Sequence, residues 1–357
     1  MRIILHIMDK KLYTWLSQYV RSDSINYNPD LSHLIIDMFI SDRCNLICKH
    51  CYFGETRTIG SLLSSEDWIM VINSLYAEGV RHFHISGRES SLDNRVIEIV
   101  AHIKNLEGTY SGLVSNGTGH PQFYKTLINE GINYLEFSID GTEDTHNYIR
   151  GKNIYSQIIT LLETLSHHSD IIDISTCLNQ NSLDEYFSLI DTCLQIGIRK
   201  FFATPFIITG NGESFNSFSI TPLQFSQLIE KSFRYLESKS GEKIALRYCI
   251  PHEVTFPLIE QRFIRQLLID YLTDKSNLLY HIKGNVLQLS LNLLNVKFMN
   301  NISITSDGEV IPCSDYISKK NYHKYSIGNV IKTNISAILQ KRAEVIINNL
   351  KTLQNGN

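Results

Sequence analysis

Apolar residues in this chain fall in short runs that alternate between two periods. Residues 33–40 form a nearly continuous apolar run of strand length. A helical pattern follows over 65–79, opened by Ser65-Glu66-Asp67, and a short strand over 81–85. Over 93–104, Val96, Ile97, Ile99, Val100 and Ile103 recur at helix spacing. The alternation continues with a strand over 110–114, a helix over 121–130 and a strand over 134–139. Then come a helix over 155–166, a strand over 171–177, a helix over 183–195 and a strand over 198–204. Six strands separated by helices predict parallel pairing through right-handed crossovers, in a doubly wound sheet or a (β/α) barrel, complete or partial.

After Pro205 the rhythm breaks. Gly210-Asn211-Gly212-Glu213-Ser214 and the serines behind it read as a loop, and 222–283 as mostly helical. Residues 301–312 predict a hairpin turning at Asp307-Gly308, and a last helix runs from an N-cap at Asn334 to about residue 350. The chain thus divides into an N-terminal segment (1–32), an α/β unit (33–206) and a smaller C-terminal region (207–357).

Composition narrows the class. With 43% hydrophobic and 19% charged residues over 357 positions, the chain can bury a sizeable core, which excludes disordered, collagenous and coiled-coil proteins. Thirty-three Lys+Arg against 36 Asp+Glu leave no electrostatic footprint for nucleic acid. No apolar stretch has the length of a signal peptide or membrane span, so a cytoplasmic protein is expected. Seven cysteines, an odd number, do not suit a disulfide framework. Cys44, Cys48 and Cys51 cluster on the loop leaving the first strand, while Cys177, Cys193, Cys249 and Cys313 are scattered. In a reducing compartment such a cluster holds metal rather than forming bridges.

The C-x3-C-x2-C spacing lets three thiolates bind three irons of a cubic Fe–S cluster and leaves the fourth iron open for chemistry. The bland alternative is a structural zinc knuckle completed by His50 or a distant ligand, although zinc knuckles usually come in pairs and no second one is present.

Directly after a first strand, this spacing resembles the signature of the radical S-adenosylmethionine (radical SAM) superfamily. Further segments arrive in that family's order: Ser86-Gly87-Arg88-Glu89-Ser90 at its Gly-Gly-Glu-Pro motif, Ser115-Asn116-Gly117-Thr118 at its next turn, then Ser138-Ile139-Asp140-Gly141, His146 and Arg150-Gly151. Arg88 stands at the usual second Gly and Ser90 at the Pro. The resemblance implies a partial (β/α)6 TIM-like barrel carrying one [4Fe–4S] cluster on Cys44, Cys48 and Cys51. It also implies SAM as co-substrate, cleaved by one electron to a 5′-deoxyadenosyl radical that abstracts hydrogen from a C–H bond. Ser86, Gly87 and Glu89 would then receive the SAM amine, Ser115 and Asn116 the ribose or carboxylate, and Ser138 and Arg150 the carboxylate. Asp140 reads equally as a turn-former or a site residue. His50 reads as a stacking partner for adenine or as an exposed loop histidine.

Gly308-Glu309-Val310-Ile311-Pro312-Cys313 and Ile327-Gly328-Asn329-Val330 resemble the α+β SPASM/Twitch extension of peptide-modifying family members, whose auxiliary clusters need several cysteines. Beyond the barrel only Cys249 and Cys313 remain, so a degenerate extension without a family-type auxiliary cluster is expected. Both thiols are then candidate hydrogen donors, and Cys177 and Cys193 read as small core residues. The expected partners are a precursor peptide and an external electron donor such as a flavodoxin or ferredoxin, with no nucleic acid and no membrane. The expected reaction is a peptide modification such as side-chain crosslinking or epimerisation. A radical SAM enzyme acting on a sugar or metabolite, and a peptide-binding scaffold with a structural metal knuckle, are the competing readings.

Overall fold

The computed structural model describes residues 31–54, 61–251, 279–292, 301–312, 317 and 321–354, so the N-terminal reading lies almost wholly outside the described residues. Six parallel strands appear where the apolar runs place them: β1 (Ile35–Ser41), β2 (His82–Gly87), β3 (Tyr110–Ser115), β4 (Tyr134–Ser138), β5 (Ile172–Leu178) and β6 (Lys200–Pro205). Between them run α1 (Ser65–Ala77), α2 (Arg95–Lys104), α3 (Pro121–Asn129), α4 (Glu143–Arg150), α5 (Tyr155–Thr164) and α6 (Tyr186–Ile196). A capping box starts α1: the Ser64 hydroxyl accepts from the Asp67 N–H, and the Asp67 carboxylate accepts from the Ser64 N–H.

Strand order follows chain order from β1 to β6 without doubling back. Right-handed crossovers then put every helix on one face and leave the other face open, as in a barrel rather than a doubly wound sheet. The α/β architecture is a partial TIM-like barrel. Burial alternates accordingly. Phe83 and Ile85, Leu135 and Phe137, and Phe201 and Ala203 are fully buried, while His84, Glu136 and Phe202 between them line the inner face.

The helical reading of 222–283 holds over 222–238, lies outside the described residues over 252–278, and needs correction at 245–251 and 279–282. Helix α7 (Pro222–Ser238) is followed by β7 (Ala245–Pro251), parallel to β6, and by β8 (Leu279–Ile282) and β9 (Asn285–Asn292), an antiparallel pair. Leu246, Tyr248 and Ile250 are buried on one face of β7, and Arg247 and Cys249 occupy the other. This is a strand period.

The C-terminal hairpin, β10 (Asn301–Ile304) and β11 (Glu309–Ile311), turns at Asp307-Gly308 as expected and is extended by β12 (Gly328–Asn329). It joins the same sheet, which has twelve strands among the described residues, β10 pairing parallel with β1. Helix α8 (Ile335–Gln354) closes the chain, and its Ile335, Ile338 and Leu339 share one core with the barrel. No helix among the described residues is long and apolar enough to cross a membrane.

Candidate functional site

Two small apolar clusters flank the loop that leaves β1. Phe39, Phe53, Ile311, Ile317 and Tyr322 pack against Cys51, and Ile149, Phe206 and Phe218 pack against Cys177. Between them the loop is tied down by its backbone. The Lys49 N–H donates to the Ile149 carbonyl (2.9 Å), and Lys152 Nζ donates to the Asn45 carbonyl (2.6 Å). Asn211, in the loop after β6, donates twice: its N–H to the Cys51 carbonyl (2.9 Å) and its Nδ2 to the Cys48 carbonyl (3.0 Å). Gly210 lets the two loops meet, because a Cβ there would lie 2.4 Å from the Tyr52 carbonyl oxygen and 2.5 Å from that of Cys51. The sequence reading assigned no such role to Asn211.

Cys48 is buried, Cys51 half-buried and Cys44 exposed. Burial pushes the Cys48 thiol up to about 11; Arg150 opposes the rise, while Cys51, Asp140 and Cys44 add to it. Burial also raises Cys44. Three thiols this close resist ionising together unless a cation joins them, and coordination to iron deprotonates a thiol outright. N–H donors already face the sulfurs: Arg150 Nη1 lies 3.9 Å from Cys48 Sγ, and Asn116 Nδ2 lies 3.9 Å from Cys44 Sγ. Among the described residues, no group of three His, Cys, Asp or Glu side chains converges to hold a single ion. A cubic cluster instead spreads its cysteines over separate irons. The donor set fits such a cluster.

The flanking motifs gather around this loop. Glu89 is buried and multiply bound: Oε1 accepts from the Ser91 N–H (3.0 Å) and the Ser115 hydroxyl (2.7 Å), and Oε2 from the Asn116 N–H (2.7 Å). Its carboxylate therefore locks the turn after β3 to the end of β2. Asn116 Nδ2 also donates to Asn45 Oδ1 (3.1 Å), joining that turn to the cysteine loop. Gly87 has φ +110°, and a Cβ there would sit 3.0 Å from Phe39 Cδ1, so the chain requires glycine. Ser86 precedes it in β2, its carbonyl accepting from the Ser90 hydroxyl (2.9 Å). Arg88, in the family's glycine position, places its guanidinium carbon 5.4 Å from the Phe53 ring centroid. Ser138 ends β4, in register with Ser175.

Asp140, left open as turn or site residue, is the hub of the far side. It is fully buried; Oδ2 accepts from Arg150 Nε (2.6 Å), and Oδ1 from the Cys177 N–H (3.0 Å). Burial would raise this carboxyl, but Arg150, His50 and His146 hold it down at about 2. His50 is no exposed loop residue: its Nε2 lies 3.3 Å from Asp140 Oδ2, and burial lowers its pKa to about 4. Its Nδ1 is buried without a hydrogen-bond partner among the described residues. Arg150 sits in the last turn of α4, a helix the sequence reading did not anticipate.

The structure thus brings together Cys44, Cys48, Cys51, His50, Glu89, Ser115, Asn116 and Arg150. Cys249 stands apart on the inner face of β7, in register with Ser290, and Cys313 lies outside the described residues. Cys193 is a core residue as expected, whereas Cys177 is half-buried and shares the inner-facing side of β5 with Ser175.

Residues 38–221 match the model of the radical SAM superfamily, and residues 297–353 match SPASM, an iron-sulfur cluster-binding domain. The chain is 26% identical over 207 residues to the sporulation killing factor maturation protein SkfB of Bacillus subtilis, covering 57% of this chain and 50% of that protein. It is 32% identical over 106 residues to the PqqA peptide cyclase of Methylocella silvestris, covering 29% of this chain and 28% of the cyclase. These matches span half or less of the relatives' length. The fold is similar to that of Streptococcus suis SuiB bound to S-adenosylmethionine, with a TM-score of 0.61, 13% identity, and 86% of this chain and 65% of SuiB covered. It is also similar to SuiB bound to its precursor peptide SuiA, with a TM-score of 0.55, 14% identity, and 91% and 67% covered. At such identities the likeness is one of fold.

Proposed function

The chain belongs to the radical SAM superfamily, and from that premise we propose that it is a peptide-modifying enzyme with one catalytic cluster on Cys44, Cys48 and Cys51. The observation that carries the reading is the enclosure of the three-cysteine loop by Arg150, Asn116 and the Glu89 network at the C-terminal ends of parallel strands, where such folds place their sites. The chemistry supplied there is one-electron cleavage of SAM followed by hydrogen abstraction from substrate carbon. The chain's own residues bind and orient. Ser86, Gly87 and Glu89 face the SAM amine, Ser115, Asn116 and Ser138 its polar groups, and His50 the adenine side. Arg150, held by Asp140, serves the SAM carboxylate and the Cys48 sulfur together.

A peptide substrate is supported by the relatives named as a maturation protein and a peptide cyclase. One cluster per chain is supported by cysteine count, because residues 297–353 contain Cys313 as their sole cysteine. An external flavodoxin- or ferredoxin-type donor supplies the electron. The test is anaerobic reconstitution, expected to give about four irons per chain and 5′-deoxyadenosine under dithionite. Changing Cys44, Cys48 or Cys51 to Ala abolishes both. Retained 5′-deoxyadenosine formation in any of the three variants rejects the assignment.

A further inference from the structure

One pleat below the SAM-facing rim, about 7 Å along the strands, the inner face carries a second polar constellation. His84 lies two residues before Ser86, and Glu136 two before Ser138. Asp37 on β1 is at its centre: Oδ1 takes His84 Nδ1 at 2.6 Å, and Oδ2 takes Asn301 Nδ2 from β10 at 2.6 Å. A carboxylate can only accept, so both neighbours donate to it. That fixes the tautomer of the imidazole and the orientation of the amide. It leaves His84 Nε2 and Asn301 Oδ1 as acceptors, and both are buried with no hydrogen-bond partner among the described residues.

Ser303, in register with Asp37, is fully buried with its hydroxyl likewise unpartnered. Tyr134 stacks on His84 (ring centroids 5.7 Å) and fills the space over Gly112, where a Cβ would fall 1.8 Å from its ring. Beyond it stands Glu136, raised by burial and electrostatically coupled to His84 and Arg247. Arg247 is itself paired with Asp173, and Lys200 lies near that acid. While His84 is neutral, Asp37, Glu136 and Asp173 face Arg247 and Lys200, which leaves a negative excess. The site is not sealed, since the His84 and Arg247 side chains are 20% and 37% exposed.

Orphaned buried acceptors beside an excess carboxylate call for a ligand that offers several N–H donors and no acceptor. An ammonium or guanidinium group has that chemistry. We propose that the inner face of the barrel is a recognition site for such a group, formed by His84 Nε2, Asn301 Oδ1, Ser303 Oγ and Glu136. Resting on the peptide-modifying reading, the inference names the substrate feature: a lysine- or arginine-type side chain that reaches below the SAM level.

The cation competes with a proton for His84 Nε2. Burial lowers the His84 pKa, but the Asp37 hydrogen bond and the charges of Asp37 and Glu136 outweigh it and leave it raised. Tyr134, Tyr110 and His82 complete the titratable surroundings. The experiment uses reconstituted, SAM-loaded enzyme with 15N-labelled histidine. The His84 resonance is assigned by its loss in His84→Gln, and its titration is followed with n-butylammonium, n-butylguanidinium and n-butanol as probes. Either cation is expected to shift the Nε2 resonance saturably and to lower the apparent His84 pKa, and the stronger of the two tells amine from guanidinium. Butanol should do neither, and Glu136→Gln should weaken cation binding about tenfold or more, the loss of a charge-assisted contact. If butanol matches the cations, or no probe moves His84, the acceptors hold only water and the inference falls. Because the readout is the imidazole, the radical reading fails separately, through absence of 5′-deoxyadenosine from the same sample.

Discussion

Arg150 shows how a residue can be legible in kind and incomplete in role. Its spacing after Asp140-Gly141 places a guanidinium near the cysteine loop, but does not show that Nε is bound to a fully buried carboxylate while Nη1 faces Cys48. Removing one member of such a pair leaves an uncompensated buried charge, which costs about 3–5 kcal/mol. Arg150→Met should therefore lower unfolding stability by that order even without SAM or cluster, as read from the denaturant midpoint. Arg150→Lys, which keeps the charge but loses the planar fork, should lose less. A midpoint unchanged in Arg150→Met refutes the pairing. The same limit applied to Glu89 and Asp140. Motif position located both, but Glu89 is also held from the end of β3 and Asp140 also from β5, and a partner across strands leaves no local signal. Asp37 and His84 carried none at all, because single polar residues within apolar runs read as ordinary strand interruptions.

At the scale of elements, the strands of the barrel were readable because each is a short apolar run between turn residues. The segment around β7 was misread because flanking helical patterns of greater length dominated the window. The alternation of Leu246, Tyr248 and Ile250 with Arg247 and Cys249 was nonetheless present. The loop after β6 is the element whose role changed most. Its glycines announced a loop and carried no sign of what that loop holds. In the structure Asn211 holds the carbonyls of Cys48 and Cys51, and Gly210 allows the close approach. Asn211→Ala should keep the fold and SAM binding yet release iron to a chelator several-fold faster, because a lost hydrogen bond of about 1 kcal/mol loosens the loop about fivefold. Gly210→Ala, at φ +56° and with its Cβ against two carbonyl oxygens, should be more severe. Equal chelation rates for wild type and both variants count against the clamp.

For the molecule as a whole, the C-terminal region matters through the sheet it completes. Strand β10 pairs with β1 along Ile35 to Met38, so β1, which delivers the cysteine loop, is an interior strand only because residues nearly the whole chain away lie beside it. Further ties cross the same boundary: the Leu63 N–H donates to the Ser306 carbonyl (2.8 Å), and Asn301 binds Asp37. Ile302, Ile304 and Val310 belong to the main core, as do Ile335 and Ile338 of α8. A sequence reading that counts cysteines treats this region as a cluster carrier that lost its ligands. The pairing supplies a different physical reason for its presence. Removing residues 293–357 would expose the unpaired edge of a parallel apolar strand, which invites aggregation, and would strip one wall from the core beneath the cysteine loop. The truncated chain is expected to be insoluble or to lack a cooperative unfolding transition. Cys313→Ala in the full chain should leave the iron content and the unfolding midpoint unchanged. A truncated barrel that stays monomeric, unfolds cooperatively and still takes up a cluster would show that β1 needs no partner on that side.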